Sequence, residues 1–174
     1  MSAPEPYSIE EFVAPADYTR HALAAVTTHD LPTLHGWWSG HDIDLWEKLG
    51  FYAEASVGER VRAERQADRQ RLLRALRREK LWPGEQDDPA PMPEYSADLC
   101  RAVHVYLARS PTALVTVQIE DMIGMLEPVN VPGTSSEYSN WTRRVTSSAR
   151  EIFERSDVRE LCAAMTASRK MAAP

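Results

Sequence analysis

Residues 21–30 read HALAAVTTHD, and how this stretch is assigned decides the fold. Its near-continuous run of small and β-branched apolar residues suits a strand covered on both faces, which predicts a strand over 22–28. Alanine by itself favours helix, but Pro32 biases Leu31 away from helical angles and supports a stop just after Asp30. A second stretch, TALVTVQIEDMIG at 112–124, carries Leu114, Val115, Val117 and Ile119 and ends in Glu120 and Asp121. Its β-branched character predicts the other strand.

Helical patterns fill the space between and after these strands. In HDIDLWEKLG, Ile43, Trp46 and Leu49 recur every three residues, with Gly50 placed as a C-cap. Ser56 and Glu59 have the spacing of a capping box, predicting a helix from Ser56 to about Lys80, with Val57, Val61, Leu72, Leu73 and Leu76 as its apolar stripe. The dense arginines of that helix are balanced by Glu59, Glu64, Asp68 and Glu79, the pattern of a solvated face. Residues 82–93 read as a proline-rich loop, and 94–109 as a helix burying Leu99, Val103, Tyr106 and Leu107. After a long loop, two helices are predicted. The first, at 140–154, turns Trp141, Val145 and Ile152 inward, and the second, at 157–169, is capped by Ser156.

The fold class is therefore α/β, with an irregular segment at 1–20 followed by one unit at 21–170. Two strands separated by helices read as part of a parallel sheet. Such strands need neighbours for their edges, so the pattern is that of a slice of a larger sheet.

Composition narrows the class of function. The chain has 174 residues, 43% hydrophobic and 26% charged, enough for one core. A net charge of −6 disfavours a general nucleic-acid binder. No apolar run approaches the roughly 18–20 residues of a membrane span, and MSAPEPYSIEEF lacks the features of a secretory signal. A cytoplasmic location is expected. Cys100 and Cys162 are too few for a disulfide scaffold or a cysteine zinc site and are expected to be small buried thiols. No phosphate loop, dinucleotide glycine pattern or G-x-S-x-G occurs, and no cofactor is expected.

Five groups of residues bear on chemistry. His29 and Asp30 follow the first strand, where parallel sheets place catalytic side chains, although a satisfied turn pair reads as well. His21, His29, His35 and His41 lack the four-residue spacing of a helical zinc site, so no metal is expected. Glu120 and Asp121 end the second strand and could share a mouth with Asp30, one of them holding loop backbone. Trp37 and Trp38 read equally as an aromatic wall for sugar rings or as packing, while Trp46, Trp82 and Trp141 read as structural. Asn130, between Pro128 and Pro132, is suited either to a ligand or to its own turn.

HALAAVTTHDLPTLHGWWSGHDIDL together with LVTVQIEDMIGMLEPVNVPGTSSEYSNWTRRV closely resembles the C-terminal part of the 4-alpha-glucanotransferases, the amylomaltase or disproportionating-enzyme family, glycoside hydrolase family 77. The resemblance covers roughly residues 7–168. It implies the C-terminal fragment of a (β/α)8 TIM barrel, its last two strands in mostly helical surroundings. The implied activity is retaining transfer of an α-1,4-glucan segment to a glucose or maltooligosaccharide acceptor. By match to the THD motif, Asp30 resembles the family's transition-state-stabilising carboxylate and His29 its hydroxyl-binding neighbour. Asn130 lies in a loop that borders the glucan cleft in the family. The aspartate nucleophile and acid/base glutamate stand on earlier strands in the family, and nothing in these residues resembles those motifs. The expectation is a truncated or split form, inactive alone, with room for a companion polypeptide that completes the barrel. Alone it is expected to form a marginal helical assembly around a short parallel pair, or to aggregate. Two rival readings are a non-catalytic carbohydrate-binding or interaction module and an HD-type metal phosphohydrolase, the latter disfavoured by Pro32 and Gly36.

Overall fold

The computed structural model describes residues 11–86 and 91–172. Two strands, β1 (Leu23–Ala25) and β2 (Leu114–Thr116), form a parallel pair in the register Leu23 opposite Leu114 and Ala25 opposite Thr116. Four helices join them: α1 (Leu34–Ser39), α2 (His41–Lys48), α3 (Ala55–Arg78) and α4 (Ala97–Ala108). After β2 come α5 (Ile119–Met122), α6 (Ala149–Glu154) and α7 (Ser156–Ala172).

The parallel pairing agrees with the sequence, but the strands are much shorter than the predicted 22–28 and 112–124. Nor are they covered on both faces, since Leu23 and Leu114 lie side by side and are each 60% exposed. The core sits in the helices. Leu34 and Trp38 of α1 meet Leu72, Leu73 and Leu76 of α3, with Leu99, Val103 and Tyr106 of α4 and Leu161 of α7. α4 is the central rod, buried along nearly its whole length. Its hydrophobic residues leave almost no polar face, as expected of a helix enclosed by others.

Sequence chemistry accounts for several boundaries. The Thr33 and Ser96 side chains accept from the third backbone N–H beyond them and start α1 and α4. Gly50 adopts φ 76° just past α2 and donates to the Glu47 carbonyl, as the sequence predicts for a glycine ending that helix. The predicted capping box at Ser56 does not form. α3 begins at Ala55 behind Glu54, and the Ser56 hydroxyl donates to that carboxylate. A true capping box occurs instead at Ser148 and Glu151, so α6 starts at Ala149 rather than near 140. Residues 140–148 are irregular, and Trp141 and Val145 face solvent while Ile152 is buried. Ser156 lies inside α7 rather than before it.

The segment at 11–20 makes one short 3-10 turn, Pro15–Asp17, and is tied to the helical body. The Tyr106 hydroxyl donates to the Val13 carbonyl at 2.7 Å, and Arg78 donates to the Phe12 carbonyl. The remainder of the predicted segment at 1–20, and part of the 82–93 loop, lie outside the described residues. No helix among the described residues is long and apolar enough to cross a membrane.

Candidate functional site

The chain after β1 enters a tight bend, Leu31 N–H bonding back to the Thr28 carbonyl, and then α1. His29 and Asp30 stand at the top of that bend. One buried carboxylate fixes both its ends: Asp121 accepts from the Thr27 hydroxyl at the end of β1 and from Leu34 N–H at the start of α1, the latter at 2.7 Å. Asp121 is only 1% exposed, so it belongs beneath the mouth rather than in it. The sequence expectation that Glu120 or Asp121 holds loop backbone falls on Asp121, and the short helix α5 explains why. In α5 consecutive side chains diverge by about 100°, turning Asp121 inward. Glu120 lines a small cleft with His29, Gln118 and Val129.

Behind Asp121 lies a buried network. His104 Nδ1 donates to the Cys100 carbonyl at 2.8 Å, leaving Nε2 3.8 Å from an Asp121 oxygen with no hydrogen bond among the described residues. Burial lowers the His104 pKa, opposed by the carbonyl bond and the Asp121 charge. Burial likewise pushes the Cys100 thiol up to about 11.

Asp30 is 53% exposed on its side chain and bracketed on both sides. Asn130 Nδ2 donates to Oδ1 at 2.6 Å, and His29 Nε2 lies 3.3 Å from Oδ2. Gln118, with its amide oxygen towards the loop, accepts from His29 N–H at 2.8 Å and so links the end of β2 to the same bend. Three of the five residues named from the sequence, His29, Asp30 and Asn130, are thus brought together across 100 positions of chain. An ionised carboxylate held by donors at a solvent-open rim can accept from hydroxyl groups or face a developing positive charge.

The tryptophan pair lies in and against the core, which favours the packing alternative of the two that the sequence leaves open. Trp38 is 2% exposed in the core and its indole N–H donates to the Pro93 carbonyl at 3.0 Å. Trp37 packs on the core with the Arg65 guanidinium 4.7 Å over its ring. The reason is helix α1, for which the sequence analysis predicts no element. Pro32 lies before the helix, and Gly36 is required inside it: a Cβ there would lie 2.7 Å from the Leu126 carbonyl oxygen. A helical turn points the two indoles to different neighbours, one to the core and one to Arg65.

The aromatic at the rim is Trp141 instead, its ring centroid 5.3 Å from that of His29. Sequence reasoning placed Trp141 inside a helix, and its neighbours in SSEYSNW gave no signal otherwise. The remaining histidines disperse. His35 donates to the Gly124 carbonyl and stacks on Tyr95, and His41 pairs with Glu127. Among the described residues no three His, Cys, Asp or Glu side chains are grouped to hold a metal ion.

Comparison with known proteins follows the same lines. A family profile described as 4-alpha-glucanotransferase matches residues 3–149. The 4-alpha-glucanotransferase of Haemophilus influenzae is 34% identical over 143 residues, which is 82% of this chain and 20% of that protein. That of Mycobacterium bovis is 36% identical over 129 residues, 73% of this chain and 17% of that protein. The chain therefore spans about one fifth of the length of these curated relatives. The crystal structure of amylomaltase from Corynebacterium glutamicum superposes with a TM-score of 0.76 at 24% identity, over 94% of this chain and 24% of that one. This likeness places the described fold within that of a much longer chain.

Proposed function

The chain belongs to the 4-alpha-glucanotransferase family and corresponds to its C-terminal part, and from that premise we propose that it forms one wall of a glucan-transfer site. β1 and β2 would be the last two strands of a (β/α)8 barrel. Asp30 is the carboxylate that stabilises the flattened, positively charged sugar formed as an α-1,4 bond breaks. His29 and Asn130 bind hydroxyls of the same residue, and their bonds keep the Asp30 carboxylate in place between turnovers.

Retaining transfer also needs a nucleophile that takes the glycosyl unit and an acid that protonates the leaving oxygen. Asp121 is buried and committed to Thr27 and Leu34, and Glu120 accepts from the Gln118 amide. We assign both to the earlier barrel strands, so the 174 residues by themselves do not turn over substrate. Catalysis then requires the polypeptide that supplies those strands, with α-1,4-glucans or maltooligosaccharides as substrate and the cytosol as setting.

The observation that carries this reading is the Asn130–Asp30–His29 bracket at the open end of a parallel pair. Two measurements test it. Maltotriose incubated with the pure chain should give no longer glucans by chromatography, and their formation would refute the division of roles. Maltoheptaose binding should weaken at least about tenfold in Asp30→Ala, since bonds to a charged group contribute about 1.5–3 kcal/mol. Unchanged affinity would remove Asp30 from the site.

A further inference from the structure

We propose that Trp141 is the aromatic platform of the glucan site, stacking a pyranose ring beside the one gripped by Asp30; this rests on the glucan reading above. Three independent observations converge on the residue. The indole is 64% exposed, yet it is carried on a fixed main chain, because the Trp141 backbone N–H donates to the Val129 carbonyl at 2.9 Å. Its backbone has φ 61°, a region unfavourable for a bulky residue that persists only where the surroundings impose it. Finally, the ring meets His29 at 5.3 Å, which places it at the Asp30 rim.

The surroundings that impose this conformation are the same ones that present Asn130. Asn140 accepts from Val131 N–H at 2.8 Å and donates to the Thr134 hydroxyl at 2.8 Å. Together with the Trp141–Val129 bond, this clips residues 129–131 to 140–141. One clip thus aims an amide at Asp30 and an indole at His29. Sugars are recognised by this division of labour: the C–H face of the ring packs on an aromatic surface, and hydroxyls at its edge meet fixed polar groups. An exposed, backbone-fixed indole next to a bracketed carboxylate supplies both.

The test is a maltoheptaose titration of the chain and of W141A and W141F, followed by NMR. In the wild type the indole N–H resonance of Trp141, identified by its loss in W141F, should shift on titration. W141A should bind about tenfold more weakly, equivalent to about 1.4 kcal/mol, while W141F stays within about threefold of wild type. Thermal midpoints should be equal, because the ring is largely outside the core. A wild-type chain that binds no maltoheptaose overturns the glucan reading and this proposal with it. Binding that is intact in W141A, or an unshifted indole resonance in a binding wild type, overturns this proposal alone. Loss of self-association in a W141A chain that still binds would assign the ring to a protein contact instead.

Discussion

Asp121 and Leu34 are joined by a 2.7 Å bond from the Leu34 backbone N–H to a carboxylate only 1% exposed, 87 positions away in the chain. The same carboxylate takes the Thr27 hydroxyl, so the end of β1 and the start of α1 share one anchor. Replacing it by Ala leaves a buried N–H and a buried hydroxyl without partners, each costing about 1–3 kcal/mol. Asp121→Ala should lower stability by about 2–4 kcal/mol in urea unfolding, and a loss under about 1 kcal/mol would show that the anchor carries little.

His104 makes stability depend on pH. Burial keeps its folded-state pKa below the ordinary histidine value, so in mildly acidic solution the unfolded chain binds a proton that the folded chain does not. The contribution is fully present above about pH 6.5 and is lost as pH falls towards the lower folded value. Urea midpoints should therefore fall between about pH 7.5 and about pH 5.5, and fall less in His104→Gln. Equal slopes in the two proteins would discount the residue.

Gly36→Ala sets two effects of opposite sign against each other. Alanine favours helix over glycine by about 1 kcal/mol. The added Cβ, however, would meet the Leu126 carbonyl oxygen at 2.7 Å and the Thr33 hydroxyl at 3.2 Å. Main chain yields little, and overpacking costs about 1–3 kcal/mol. A net loss of thermal stability is expected, and an unchanged or higher midpoint would mean that the 126 loop gives way freely.

Arg65 donates to both oxygens of Asp42 at 2.7 Å, to the Trp37 carbonyl at 2.6 Å, and lies over the Trp37 ring. The Arg65 and Asp42 side chains are only 11% and 13% exposed, so this is not a screened surface pair. Lysine cannot reproduce the planar fork, and Arg65→Lys should cost about 1–2 kcal/mol, against near-neutral Arg71→Lys. Equal effects at the two positions would refute the distinction.

Cys100 is buried, with its thiol pushed up to about 11, whereas Cys162 is partly open. In native conditions a disulfide reagent should modify Cys162 and leave Cys100 unreacted until denaturant is added. Rapid labelling of both would contradict the packing of α4.

The parallel pair, α2, α3, α4 and α7 were legible because their signals are local: period, glycine ends and β-branched runs. What the sequence could not show was how much of each apolar run is strand. TALVTVQIEDMIG holds only three strand residues, because Gln118 starts a short helix that carries Asp121 into the interior. Likewise Trp38 is buried and Trp141, read as turned inward, is exposed. Burial of Trp38 depends on α3 and on Pro93, and exposure of Trp141 on a clip to Val129, all distant in sequence. His29, Asp30 and Asn130 were legible from their places at a strand end and in a proline-bounded loop, and their meeting is a property of the fold.

At Gly36 a helix backbone rests against a loop carbonyl with no side chain between them. Such a seat is indifferent to which residues decorate either surface. Exposed positions of that loop such as 135–137 could therefore be rewritten without moving the helix against which it rests. The single hydrogen atom at position 36 is the tolerance on which that freedom depends.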